Sequence, residues 1–418
     1  VLTSRGLGDV YKRQGNNNQV SDNINSTIFG KDNTSTNAES SSIAGESHTV
    51  SDSNFSSING NTNQVSFSNN SLITGNQNTE TTGTSNAVFG NSNNNTNSDY
   101  SILTGQSNII NNANRTFITG VSNQVTNSEH SNIGGKNNIV TDISGMFIGG
   151  DSNEVSAYVS NTLLWGTSNK ITGDQFAGYT IKDNIVIGNN HEVGANTNQT
   201  LVVGKDHYSA INNNNAILGI NNYSRRNEAL LTSGKDNRIF KTHNSTVIGE
   251  SNDVSGNTIN SLITGKSNTD LSGAINIIGG LSNNSTNTTT ALTSGREHVI
   301  SNGQDNVIFG KENTLNLNQR TLVSGIKNTV TDVSNSIVFG SSNNINNNTT
   351  GGITIGTGNN VNNGLRNTTL GETNDIANGI NNLTSGKINV VKNGNNSLIT
   401  GEGNYICLLY TSPSPRDV

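Results

Sequence analysis

Glycine recurs in this chain at Gly30, Gly45, Gly60, Gly75, Gly90, Gly105, Gly120, Gly135 and Gly150, a spacing of fifteen held without a slip. The series resumes at Gly166 and, from Gly188 to Gly401, runs at steps of fifteen with a few of sixteen. The step from Gly166 to Gly188 is seven residues too long. The stretch Gly173-Asp174-Gln175-Phe176-Ala177-Gly178-Tyr179 therefore reads as a loop insertion, near 172–183, bulging from one repeat. A period this short excludes helical-hairpin repeats, which need at least roughly thirty residues per unit.

The rest of the repeat is equally regular. Three residues after each glycine stands Asn or His, as at Asn33, His48, Asn63, Asn78, Asn93, Asn108, Asn123, Asn252 and Asn313, with further histidines at His191, His207 and His298. Two before the glycine is usually Ile or Val (Ile28, Ile43, Val88, Val338), and five after it is often Val or Ile (Val50, Val65, Val125, Val330). These residues alternate with polar neighbours, the mark of a half-buried strand. Asn, Ser, Gly and β-branched residues also disfavour helix. The expected fold is all-β: a single-stranded parallel β-solenoid, or β-roll, of about 25 coils with a 15-residue period. Two short strands with a glycine turn between them fit one coil, the glycine supplying a positive φ or a close approach. Coils stack at the inter-strand spacing of roughly 4.8 Å. A side-chain amide both donates and accepts, so Asn at one position of successive coils is expected to bond up the stack as a ladder. The four histidines, at ladder positions and partly far apart, are expected to be structural, not metal ligands.

The two ends depart from the repeat. One DNA string encodes Cys407-Leu408-Leu409-Tyr410-Thr411-Ser412-Pro413-Ser414-Pro415-Arg416-Asp417, and its complementary strand encodes Ser4-Arg5-Gly6-Leu7-Gly8-Asp9-Val10-Tyr11-Lys12-Arg13-Gln14. That is the pattern of a transposase-type sequencing adapter read through in both directions. Residues 1–14 and 407–418 are thus expected to be adapter-derived and non-native, and residues 15–406 to be an internal fragment forming the solenoid repeat domain. The sole cysteine and both prolines fall in the tail, so the repeat domain offers no disulfide, zinc-thiolate or thiol nucleophile. The chain carries 23 Lys+Arg against 29 Asp+Glu. With Arg5, Lys12, Arg13, Arg416, Asp9 and Asp417 set aside, 19 basic residues face 27 acidic ones, an acidic balance that argues against a nucleic-acid partner. No apolar run approaches the roughly 18 residues of a membrane helix. Acids such as Asp32, Glu46, Asp151, Glu250 and Glu312 fall mostly just after the glycine, with no aligned catalytic pair. The chain is read as a non-enzyme without cofactor or metal.

Some pre-glycine strands are apolar on both faces, as in Ile185-Val186-Ile187, Leu201-Val202-Val203, Val307-Ile308-Phe309 and Ile337-Val338-Phe339. The residue directly before the glycine then points away from the core. Phe29, Phe89, Trp165, Ile187, Val203, Phe309 and Phe339 hold that position, with Leu218 and Ile355. A coil has only one inside, so these residues form a candidate interface stripe toward another chain.

Segments such as Asn25-Ser26-Thr27-Ile28-Phe29-Gly30 and Asn335-Ser336-Ile337-Val338-Phe339-Gly340 resemble the head repeats of trimeric autotransporter adhesins of the YadA-like type. The resemblance implies a left-handed parallel β-roll, three chains packed by one strand face, and an extracellular, cell-surface location. It also implies adhesion to a host or neighbouring cell surface, matrix protein or glycan through many weak contacts along a rod, with membrane attachment only through an anchor beyond this sequence. The family repeat is commonly about fourteen residues, richer in Ala and poorer in Asn. Similar repeats occur in phage tail-fibre shafts. A second resemblance is to plant-type ice-binding β-rolls, on Asn86-Ala87-Val88-Phe89-Gly90 followed by Asn93. Its ice face would use Thr34 and Thr36, Thr49 and Ser51, Thr79 and Thr81, and Thr329 and Thr331, and is interrupted by Gln124, Glu154, Lys170, Tyr208 and Arg238.

Overall fold

The computed structural model describes residues 12–173 and 180–407. Every element among them is a β-strand, and the strands build a parallel β-solenoid of about 26 turns at a period of about fifteen residues. The described residues form two compact units, one closing at Asn214 and the other opening at Asn215. In the first, five-residue strands run from Lys12–Asn16 to Leu201–Lys205; in the second, from Ala216–Ile220 to Leu398–Glu402. The turn beyond the 25 expected is that of Gly15, which pairs with Gly30 in the strand Lys12–Asn16. Lys12, Arg13 and Gln14 therefore extend the first ladder, and Cys407 ends a strand paired with Val390–Lys392. The remaining end segments, and residues 174–179 of the expected insertion, lie outside the described residues. On either side of that insertion the register holds, with Lys170–Thr172 on Glu154–Ser156 and Ile181–Lys182 on Val159–Ser160.

One coil shows the plan. The long strand Ala87–Asn91 pairs in parallel with Leu72–Asn76 below and Ile102–Gln106 above, glycine opposite glycine. A corner at Ser92 leads to the short strand Asn94–Thr96. Corners at Asn97 and Tyr100 then enclose a third side that bridges to the coil below through Asp99 and Thr84. The three corner residues are left-handed, with φ of 56°, 54° and 54°, and each donates its backbone N–H to the coil below at 2.8–2.9 Å. Asn, Asp and Ser, which tolerate this conformation, fill most such corners.

The expected glycine turn is corrected by this geometry. The repeat glycine is the fourth residue of the long strand, not a turn between strands, and its φ lies between 104° and 141° along both units. The close approach is what requires it: a Cβ on Gly120 would lie 1.8 Å from the carbonyl oxygen of Gly135. The turn itself falls two residues later, on a residue with a side chain everywhere among the described coils but Gly358 and Gly403.

Side chains two before and five after the glycine face each other across each coil and stack into apolar columns. Ile28, Ile43, Ile58 and Ile73 fill one column and Val50 and Val65 the other, all at most 2% exposed. Each such burial is worth roughly 1.5–3 kcal/mol. The interior beside the third side is polar, with Ser26, Ser41, Ser56 and Ser71 four before the glycine, and Ser53 and Ser68 eight after it. In the second unit Thr232, Thr293, Thr369 and Thr384 enter the pre-glycine core column, and their hydroxyls have no hydrogen-bond partner.

Candidate functional site

The ladder runs through the interior at the corner between the long and short strands. Asn33, His48, Asn63, Asn78, Asn93, Asn108, Asn123, Asn252 and Asn313 are all buried there. Asn93 shows the full set of bonds. Its backbone N–H and its Nδ2 both donate to Oδ1 of Asn78, at 3.1 and 3.2 Å. The same Nδ2 also donates to the carbonyls of Phe89 at 2.9 Å and Gly105 at 3.0 Å. Oδ1 of Asn93 in turn accepts from the backbone N–H and Nδ2 of Asn108. One side chain thus ties three successive coils and saturates a corner that no water reaches.

His48, His191 and His298 fit the ladder as neutral rings, and His207 takes the rung next to His191. Nε2 of His48 faces the Ala44 carbonyl at 3.1 Å, while Nδ1 accepts the backbone N–H of Asn63 at 3.2 Å. His298 repeats this with Ser294 and Asn313. Since Nδ1 accepts, the proton belongs on Nε2. Burial holds the pKa of His48 and His298 below the usual imidazole value and takes that of His191 down to about 4. No group of three or more His, Cys, Asp or Glu side chains among the described residues is placed to hold a metal ion.

Two buried carboxylates escaped the sequence reading. Glu80 and Asp270 stand five after the glycine, in the apolar column, fully buried. Glu80 accepts from Nδ2 of Asn86 at 2.7 Å and Nδ2 of Asn95 at 2.6 Å, and from the Ser68 hydroxyl at 3.3 Å. Burial outweighs these bonds and pushes its pKa up to about 7, and that of Asp270 to about 6. Each acid is followed by glycine three residues on and asparagine six on. A Cβ on Gly83 would sit 2.6 Å from Glu80, and one on Gly273 would sit 2.4 Å from Asp270. The signal was an acid where Val or Ile belongs.

On the outer surface, the seven candidate stripe residues all point away from the core. Phe29 and Trp165 are more than half exposed, Phe309 is 39% and Ile187 and Phe339 are 36% exposed, and Phe89 and Val203 are half-buried. Trp165, Ile187 and Val203 lie at successive levels, whereas Ala44, Asn59 and Thr74 separate Phe29 from Phe89. A fuller column lies two residues earlier on the same face and went unread in the sequence. In the first unit it includes Ile102 and Phe117, then Phe147, Leu163, Ile185 and Leu201. In the second, Leu262, Ile277, Leu292, Val307, Leu322, Ile337 and Ile353 follow one another without a polar break. The Trp165 ring lies across Gly149 and stacks on Phe147, with centroids 6.0 Å apart and planes at 15°.

The outer face of the short strand is different. In the first unit Ser21, Thr36, Ser51, Ser66, Thr81 and Thr96 form a column of hydroxyls, interrupted at Asn111 and resumed by Thr126 and Thr141. In the second unit Arg225, Phe240 and Leu271 break the same column. No protein-family model matches the chain, and no curated protein matches it.

Proposed function

We propose that this chain is the structural and adhesive repeat module of a trimeric cell-surface adhesin, non-catalytic and extracellular. The observation that carries the reading is the outward face of the long strands. A monomer in water rarely keeps an extended apolar patch exposed. Here Leu262 to Ile353 present one outward apolar side chain at every level of seven consecutive coils, exposed at Leu262 and Ile277 and half-buried at the other five. The column has the period of the coil, so the occupant that matches it level by level is another copy of the same chain. A closed ring of three buries one such face per chain. The remaining faces then offer repeated, individually weak contacts, and attachment comes from their number. Light scattering on residues 15–406 tests the reading. A mass of three chains is expected, and a monomer would overturn it.

The hydroxyl column of the first unit favours a second reading, an ice-binding face. It predicts thermal hysteresis that is lost when Thr81 and Thr96 are replaced by lysine. Absence of hysteresis in the intact chain would remove it.

A further inference from the structure

The third side of the coil, between the corner seven residues after the glycine and the position nine after it, is concave. In the first unit it deepens into a cleft of about 470 Å³. We propose that this cleft, lined by Asn112, Asn127, Glu129, Asp142, Ser144 and Tyr158, binds a neutral oligosaccharide. The proposal rests on the reading of the chain as a surface-binding module and names the ligand class one of its faces would take.

Three features carry it. The size falls within the roughly 300–1,000 Å³ typical of small-molecule sites. Two clefts at equivalent coil positions, one around Asn37 and Asp52 and one around Asp332 and Asn348, measure about 140 and 200 Å³ and have no aromatic wall. The chemistry is divided as a pyranose requires. Buried Ile143 and Val159 line it where the coils before have Ala113 and Ser128, and Tyr158 adds a half-exposed ring. The other side is a chain of amide and carboxylate groups: Asn112 Nδ2 donates to Asn127 Oδ1 at 2.8 Å, and Asn127 Nδ2 donates to Asp142 Oδ1 at 2.9 Å. A sugar ring has an apolar C–H face to lie on an aromatic ring and a rim of hydroxyls that both donate and accept. Among the described residues the lining contains Glu129 and Asp142 and neither Lys nor Arg, which disfavours phosphate, sulfate and carboxylated sugars.

The third feature is how Tyr158 gets there. The coil from Gly150 to Gly166 has sixteen residues, and the extra one creates two successive left-handed residues, Ala157 and Tyr158, with φ of 59° and 55°. Two other sixteen-residue coils solve the same problem with Asn347-Asn348 and with Gly256-Asn257, residues that accept this conformation readily. Alanine and tyrosine are the costlier choice, and the tyrosine ring stands in the cleft.

The test uses the full chain and a panel of immobilised neutral di- to tetrasaccharides of glucose, galactose, mannose and N-acetylglucosamine. Saturable binding to at least one member is expected. Tyr158→Ala should weaken it at least about tenfold and Tyr158→Phe by less than about threefold. Asp142→Asn, which leaves the fold's interior untouched, should also weaken it. Tyr100→Ala, an exposed aromatic outside the cleft, should leave it unchanged. No saturable binding to any member, or equal loss in Tyr100→Ala and Tyr158→Ala, would overturn the proposal. Chain mass measured on the same sample separates the two readings. A trimer that binds no sugar removes the cleft alone, and a monomer that binds through Tyr158 removes the trimer and keeps the cleft.

Discussion

Nδ1 of His191 accepts the backbone N–H of His207 at 3.2 Å, and the two rings stack 5.0 Å apart and 3° from parallel. Protonating that nitrogen breaks the rung and places a cation in the interior. The folded pKa of His191, about 4, lies below its unfolded value of 6.5. Its contribution is therefore complete above pH 6.5 and is lost as pH falls through about 4. After allowance for solvent screening, acidification should cost about 1–2 kcal/mol. Denaturant midpoints taken from pH 7.5 to pH 4 should fall, and His191→Asn should flatten the fall. An unchanged profile in the variant would assign the acid sensitivity elsewhere.

Glu80 has the opposite dependence. Its folded pKa, about 7, lies above the reference 4.5, so its contribution is present in full below pH 4.5 and disappears as pH rises through 7. Glu80→Gln, which keeps an acceptor for Asn86 or Asn95 without the charge, should be more stable than the parent at pH 8 by about 2–3 kcal/mol. The two proteins should converge near pH 4. Equal stability at pH 8 would mean that the carboxylate is better solvated than its burial implies.

Adjacent glycines separate the two roles this residue has in the chain. Gly135 has φ of 111°, and a Cβ on it would lie 1.9 Å from the Gly150 carbonyl oxygen. Gly134 has no such φ, and its nearest neighbour would be a Thr119 methyl at 3.4 Å. Gly135→Ala should destabilise by more than about 4 kcal/mol, and Gly134→Ala by less than about 1 kcal/mol. Comparable thermal shifts in the two variants would refute the packing account.

Thr369 presents a fully buried hydroxyl with no partner in a column built mostly from Ile, Val and Leu, where its neighbours on either side are Thr354 and Thr384. Thr369→Val keeps the shape and removes the unpaired group. A gain of about 1–2 kcal/mol is expected in urea unfolding. A loss would reveal a partner for the hydroxyl.

Trp165 is the chain's only tryptophan, is 53% exposed, and lies on the proposed contact face. Its emission should be blue-shifted in the assembled protein and should move to the red on dilution, in step with a fall in light-scattering mass. Ile185→Lys should produce the red-shifted state at every concentration. Emission that ignores both dilution and Ile185→Lys would place the interface elsewhere.

What the sequence revealed follows from which positions tolerate a single solution. The coil period was legible because only glycine fits where Gly120 meets Gly135, and the amide column because Asn93 must satisfy three coils at once. The corners were illegible. Phe55, Tyr100 and Arg115 adopt φ of 54°, 54° and 51° although nothing in their chemistry favours it, since the neighbouring coils impose the conformation. The outer column of Leu262 and Ile277 is less legible than a strand with three apolar residues in a row, because several of its members have Thr or Gly next to the repeat glycine. Residue type does not distinguish Glu80 and Asp270 from the acids just after the glycine; only their position, five after it, assigns them to the interior. The cleft at Tyr158 depends on a one-residue excess that the spacing records but whose position around the coil it does not.

Because glycine faces glycine at every level described within each unit, and amide faces amide except where His48, His191, His207 and His298 take the rung, the joint between two coils is nearly the same wherever it is made. Chain removed or added in whole periods meets the same donors and acceptors it left. Such a gene can change length by unequal exchange between its own repeats and still encode a folding product, so the number of coils is open to selection independently of the design of any one of them.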